Sequence, residues 1–186
     1  MVSRWSAIGA CLAIRLSFYL ASSRGIEPMI SYNFVTGRLA TGGGIGTEDD
    51  IQVLVKSGVT HIIDCTELDD AASFQMTPFA YLWNGTADDG QPKPPEWFAR
   101  SVTFALEALR SPGHRVYAHC AAGMNRGPST AYAILRAFGL TAAWAESCVR
   151  EARPQVGLRY KADADRAITA LGYGGMVYSC YQERLG

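Results

Sequence analysis

Hydrophobic and polar positions along this chain switch repeatedly between two patterns. Short apolar runs suited to strands fall over 30–35, 59–64, 81–83 and 115–119. The last of these, Arg115-Val116-Tyr117-Ala118-His119, reads as a buried strand. Between and after them lie segments that predict helices over 49–56, 96–109, 128–138, 141–153 and 159–171. In the second, Trp97, Phe98, Val102, Ala105, Leu106 and Leu109 are placed on the core side.

The punctuation agrees with these elements. Thr47 is a natural N-cap, followed by Glu48, Asp49 and Asp50 at the positive end of the helix dipole. Ser57-Gly58 and Gly139 are fitting stops, and Pro154 ends the fourth helix. Residues 84–95, rich in Gly, Pro and Asp, form a loop. Residues 37–41 lead, with no element assigned, into Gly42-Gly43-Gly44-Ile45-Gly46. This cluster lacks the Lys-Ser/Thr of a nucleotide loop and the spacing of a dinucleotide loop, so it reads as a flexible turn. Strands alternating with helices, then helices alone, argue for an α/β domain with a mainly parallel central sheet flanked by helices. The order of the strands stays open.

A chain of 186 residues, 48% hydrophobic and 18% charged, suggests one domain, placed here at 27–186. Seventeen basic and seventeen acidic residues cancel, which gives no general pull toward nucleic acid or an anionic membrane. Five cysteines without a C-x-x-C pair favour neither a disulfide framework nor a zinc site. Residues 1–26 form an extension without Asp or Glu, containing Arg4, Arg15 and Arg24. Arg15 interrupts any signal-like apolar stretch or membrane span. The extension reads as a docked helix or an unstructured segment, with an organelle transit peptide as the alternative.

The chemistry concentrates in His119-Cys120-Ala121-Ala122-Gly123-Met124-Asn125-Arg126. A cysteine at a strand end, followed by small residues, opens onto a helix N-terminus. Backbone N–H groups and the helix dipole favour an anion there, and favour Cys120 in its nucleophilic, ionised form. Arg126 can grip two phosphate oxygens with its fork of donors. The expected phosphate cradle is Ala121, Ala122, Gly123, Met124, Asn125 and Arg126.

This loop resembles the signature loop of the cysteine-dependent protein tyrosine phosphatase superfamily, in its dual-specificity branch. The resemblance covers about residues 30–175. It implies a phosphatase that forms a phosphocysteine on Cys120, needs no metal or cofactor, and acts on phosphotyrosine and/or phosphoserine/threonine of proteins. Such a reaction needs a proton donor on a mobile loop. Asp88 and Asp89 both qualify. The run Asp89-Gly90-Gln91-Pro92 resembles the acid loop of several small tyrosine phosphatases and picks Asp89. Counting back from the Trp97-Phe98 helix picks Asp88. The first reading is preferred.

His119 points to the opposite strand face from Cys120, so it is expected to support the loop through hydrogen bonds and not to act as a base. Cys65 matches a position where some relatives form a protective disulfide with the nucleophile, although a buried packing residue is the plainer reading. Cys11, Cys148 and Cys180 read as packing or surface residues. In most relatives a Ser or Thr follows the arginine and eases departure of the sulfur, but here Gly127 stands there. Ser129 or Thr130 are candidate substitutes, and slowed breakdown of the phosphocysteine is the expectation.

The loop interior carries no Lys or Arg, which favours a phosphoprotein over a polyphosphorylated lipid. Asn125-Arg126 resembles the RNA 5′-triphosphatase branch, and RNA ends, with phosphoinositides, stay as alternative substrates. Rivals of other kinds are a phosphate-binding module with little turnover and rhodanese-type sulfur transfer. The need for reduced Cys120 fits the cytosol, and targeting through 1–26 is the alternative.

Overall fold

A computed structural model describes residues 30–173. The extension 1–26, Cys11 and Cys180 lie outside the described residues. Five strands form one sheet: β1 (Tyr32–Phe34), β2 (Leu39–Gly42), β3 (His61–Asp64), β4 (Ala80–Trp83) and β5 (Val116–His119). Five α-helices accompany them: α1 (Glu48–Lys56), α2 (Pro95–Leu109), α3 (Arg126–Ala137), α4 (Ala142–Ala152) and α5 (Lys161–Ala170). The sheet order is β1-β2-β5-β3-β4. Only the β1–β2 pair is antiparallel, and the other three pairs are parallel. The α/β architecture with a mainly parallel sheet is therefore as expected.

β5 lies at the centre, and all four of its residues are buried. Val116, Ala118 and Cys120 face a core built with α2 to α5. Tyr117 faces a second core with Ile51 and Leu54 of α1. Burial on both faces removes the polar alternation, which is why this strand reads as a short apolar run.

β2 is the element missed in the sequence. Leu39-Ala40-Thr41-Gly42 is too short and glycine-terminated to signal a strand. It becomes one because β1 and β5 pair on either side of it. The Thr41 hydroxyl donates to Ala118 O at 2.7 Å. The first glycine of the supposed turn, Gly42, thus ends a strand.

Local chemistry explains the helix starts. Thr47 Oγ1 accepts from Asp50 N at 3.2 Å and Asp50 Oδ2 accepts from Thr47 N at 2.9 Å, a reciprocal capping box. α2 begins with Pro95 in its first turn, where a missing N–H leaves nothing unsatisfied. Leu106, expected in the core, is only partly buried there. α3 starts at Arg126, two residues before the expected Pro128, so the phosphate loop is tighter than the sequence implied.

Candidate active site

The loop 120–126 is held by its carbonyl oxygens. Ala121 O accepts from Gly44 N at 3.0 Å, and Met124 O accepts from Gly157 N at 2.9 Å and Leu158 N at 3.3 Å. Arg153 Nε donates to Gly123 O at 2.8 Å, and its Nη2 reaches Ala122 O at 3.5 Å. In a trans peptide the N–H points opposite to the C=O. With these four carbonyls held outward, the N–H groups of Ala122, Gly123, Met124 and Asn125 turn into the loop. That is a nest of donors with an anion's shape.

Gly123 is demanded twice. Its φ is +65°, and a Cβ would lie 2.5 Å from Gly42 C. Arg153, only 3% exposed, braces the loop from behind, and its Nη1 is taken by Ser31 Oγ at 3.0 Å and Asn33 Oδ1 at 3.0 Å. Sequence reading gave Arg153 no role. Its place just before Pro154, at the end of α4, was the only available signal.

Cys120 is 1% exposed at the end of β5, and its N–H donates to Gly42 O at 3.3 Å. Ala121 and Ala122 are exposed, while Met124 and Asn125 are half-buried. Arg126 is buried in the first turn of α3. Its Nη1 donates to Thr86 O at 2.7 Å and lies 3.8 Å from Glu67 Oε1. Its Nε is buried with no hydrogen-bond partner among the described residues. A buried guanidinium N–H left open in this way is unusual.

The two aspartates part company. Asp88 faces the loop: its Oδ2 lies 3.2 Å from Asn125 Nδ2 and 3.9 Å from Arg126 Nε, and its Oδ1 accepts from Tyr160 OH at 2.8 Å. Asp89 faces away. Its Oδ1 accepts from Lys93 Nζ at 2.8 Å and Gln91 N at 3.0 Å. The Lys93 hydrogen bond, followed by that of Gln91, holds the Asp89 carboxyl below its usual pKa. The geometry differs from the expected preference for Asp89. An Asx turn and an ion pair commit it elsewhere, and Asp88 is the one brought to the phosphate loop.

His119 also departs from expectation. Among the described residues neither ring nitrogen has a hydrogen-bond partner, so it does not support the loop in that way. Strand alternation sends the ring to the α1 side, stacked on Tyr117 at 5.2 Å between centroids. Burial pushes its pKa well below the ordinary value, against the opposing pull of Asp64. Its Nε2 lies 3.9 Å from both Asp64 Oδ1 and Asp70 Oδ2.

Among the described residues these three side chains are the group that could approach a metal ion, with ligand atoms within 4.8 Å of one another. The set fits a small transition metal poorly. Tetrahedral zinc with bonds of about 2.0–2.2 Å needs ligand atoms closer than 3.9 Å. Both Asp64 oxygens are also already engaged. Thr66 N and Oγ1 bind Oδ1 at 2.7 and 2.6 Å, and Tyr81 OH binds Oδ2 at 2.7 Å.

The candidate helpers are placed elsewhere. Ser129 Oγ accepts from Tyr160 N at 3.3 Å, and Thr130 Oγ1 lies 3.4 Å from Cys65 Sγ. At Gly127 a Cβ would sit 2.8 Å from the His119 backbone, so a hydroxyl-bearing residue has no room there. Cys65 follows β3 and bonds across to β5 through Cys65 N to His119 O at 2.9 Å. It and Cys120 are free thiols at matching ends of adjacent parallel strands. Burial pushes the Cys65 thiol far above its ordinary pKa. Cys148 is buried packing.

The open arginine, the donor nest and the cysteine define a site for a tetrahedral oxyanion on an α/β sheet. Residues 45–162 match the family described as dual specificity phosphatase, catalytic domain, and the chain belongs to that family. It is accordingly a cysteine-based phosphatase domain of the protein tyrosine phosphatase superfamily. Comparison with curated proteins finds no match.

Among solved structures, a mouse putative dual specificity phosphatase complexed with zinc tungstate is similar with a TM-score of 0.67 at 19% identity, over 86% of this chain and 99% of that one. A human tyrosine phosphatase-like serine/threonine/tyrosine-interacting protein gives 0.64 at 23%, over 75% and 97%. PTPMT1 in complex with PI(5)P gives 0.61 at 17%, over 75% and 98%. At these identities the likeness is one of fold. Among the described residues no helix is long and apolar enough to cross a membrane.

Proposed function

We propose that the chain hydrolyses phosphate monoesters on proteins, phosphotyrosine and/or phosphoserine/threonine, through a phosphocysteine. The observation that carries this reading is the buried Arg126 Nε, which has no hydrogen-bond partner among the described residues, beside a loop whose N–H groups turn inward. A phosphoryl group satisfies both.

In the first step Cys120 Sγ attacks phosphorus. The S–P bond forms as the bond to the leaving oxygen breaks, Arg126 holds two of the phosphoryl oxygens, and Asp88 gives the leaving oxygen a proton. In the second, the Asp88 carboxylate takes a proton from a water that attacks phosphorus. Inorganic phosphate leaves, and Cys120 returns as thiolate. Asp88 is assigned the proton because it lies 3.9 Å from Arg126, whereas Asp89 is paired with Lys93.

A protein substrate is supported by charge. The loop interior has no Lys or Arg, and the Glu67 carboxylate, 62% exposed, lies 3.8 Å from Arg126. Extra negative charge at that point opposes polyphosphorylated lipids and RNA 5′-triphosphate. The need for a reduced cysteine supports a reducing compartment, the cytosol in this reading.

Phosphate release from phosphotyrosine and phosphoserine peptides, PI(5)P vesicles and RNA 5′-triphosphate tests the substrate class. Turnover of a peptide, abolished in Cys120→Ser, is expected. Turnover of the lipid or the RNA alone would overturn the protein assignment. Vanadate binding without any turnover would make the domain a phosphate-reading module.

A further inference from the structure

Tyr160 is the N-cap residue of α5 and is 1% exposed, yet its hydroxyl reaches the acid loop. That hydroxyl donates to Asp88 Oδ1 at 2.8 Å and accepts from Gly90 N at 3.1 Å. It therefore touches the loop on both sides of Asp89. Its backbone N–H is fixed by Ser129 Oγ on α3 at 3.3 Å, and Lys93 Nζ lies over its ring at 4.9 Å. The segment that delivers it is bent for the purpose. Leu158, buried, has φ +51°, a conformation that costs a non-glycine residue energy. Its neighbour Gly157 donates to Met124 O of the phosphate loop at 2.9 Å.

We propose that Tyr160 is the positioning residue for the proton donor. Its hydroxyl holds Asp88 by one oxygen and leaves the other, Oδ2, facing Arg126 and the phosphate loop. The proposal rests on the reading of Asp88 as the acid. Its physical content is orientation. Asp88 sits on a loop with little regular structure, and a carboxyl free to rotate spends little time aimed at the leaving oxygen. A buried tyrosine anchored to α3 supplies a fixed reference, because Ser129 ties it to the same helix that presents Arg126. Oδ2, turned toward the loop where it accepts from Asn125 Nδ2 at 3.2 Å, is then the oxygen that carries the proton.

Tyr160→Phe keeps the ring and removes only the hydroxyl. A proton donor matters for a poor leaving group and hardly at all for a good one. The test compares kcat/KM for phenyl phosphate and 2,4-dinitrophenyl phosphate in wild type, Tyr160→Phe, Asp88→Asn and the double variant. The expected result is a loss of about tenfold in Tyr160→Phe on phenyl phosphate, with less than about twofold on the dinitrophenyl ester. No further loss is expected from Tyr160→Phe in the Asp88→Asn background, since both act through one proton. Equal losses on both esters, or losses that multiply in the double variant, would overturn the role of Tyr160 alone. An Asp88→Asn enzyme that slows both esters alike would remove Asp88 as the acid, and this proposal with it. A wild type inactive on both esters would remove the phosphatase reading itself.

Discussion

Asp88 and Asp89 are adjacent in sequence, and their surroundings separate them. Lys93 occupies Asp89 at 2.8 Å, while Asn125, Arg126 and Tyr160 surround Asp88. Asp88→Asn is expected to lower kcat on phenyl phosphate by roughly a hundredfold or more, and Asp89→Asn to stay within about threefold of wild type. The reverse pattern in steady-state kinetics would restore Asp89. That pair was legible in the sequence as two candidates but not as one, because the deciding lysine acts through a turn geometry that no spacing rule encodes. Cys120 and Arg126 were legible because six residues of loop and a helix start dictate where they go.

Gly127 was legible only as a missing hydroxyl. Its cause, backbone contact with His119 at 2.8 Å, is tertiary. Gly127→Ala, which would gain helix propensity at an open site, is instead expected to destabilise by about 1–3 kcal/mol through overpacking. A urea midpoint equal to or above the wild type would contradict this.

The phosphate loop is locked by a residue that the sequence left without a role. Arg153, at the end of α4, ties the phosphate loop to the segment before β1. Arg153→Met keeps some of the bulk and deprives buried carbonyls of their donor. It is expected to cost about 2–4 kcal/mol and to weaken vanadate binding, measured by titration. Unchanged binding at unchanged stability would remove the brace. β2 was missed for the same kind of reason: its two neighbours make it a strand, and neither is local to it.

The ends of β3 and β5 hold a second device. Burial, reinforced by the charge of Asp64, raises the Asp70 carboxyl to a pKa of about 6, while burial keeps His119 neutral well below its ordinary value. His119 contributes full stability above about pH 6.5 and loses it as pH falls, because the unfolded chain takes up a proton that the folded one refuses. Asp70 acts in the opposite sense. The folded state takes its proton near pH 6 and the unfolded chain only near pH 4, so its contribution grows as pH falls and is lost as pH rises. The two offset each other over this window. Asp70→Asn removes only the second, so its stability relative to wild type should fall by up to about 1.4 kcal/mol per pH unit between pH 6 and 4. Parallel denaturation profiles of the two proteins would contradict this.

At the scale of the whole molecule, the fold class and the placing of the loop between β5 and α3 follow from patterning alone. Short apolar runs, capped helices and a loop of small residues are local signals. Strand order, the choice between the aspartates, the detachment of His119 from the loop and the bracing by Arg153 and Tyr160 are not. Each depends on residues tens of positions apart meeting at one end of the sheet. All of it serves one arrangement, in which a sheet with cores on both faces fixes Cys120 and helices fix Arg126, while the acid loop stays on the surface.

Catalysis by this site requires that the phosphoryl group pass through Cys120. The decisive measurement is rapid acid quench of wild-type protein turning over an aryl phosphate, followed by mass spectrometry of the peptide that contains Cys120. Because Gly127 and its neighbours offer no hydroxyl to the sulfur, the intermediate should accumulate. The expected result is a burst of released phenol, with one phosphoryl group on Cys120 and none in Cys120→Ser. Turnover with no phosphoryl group on that peptide, or with turnover retained in Cys120→Ser, would contradict it.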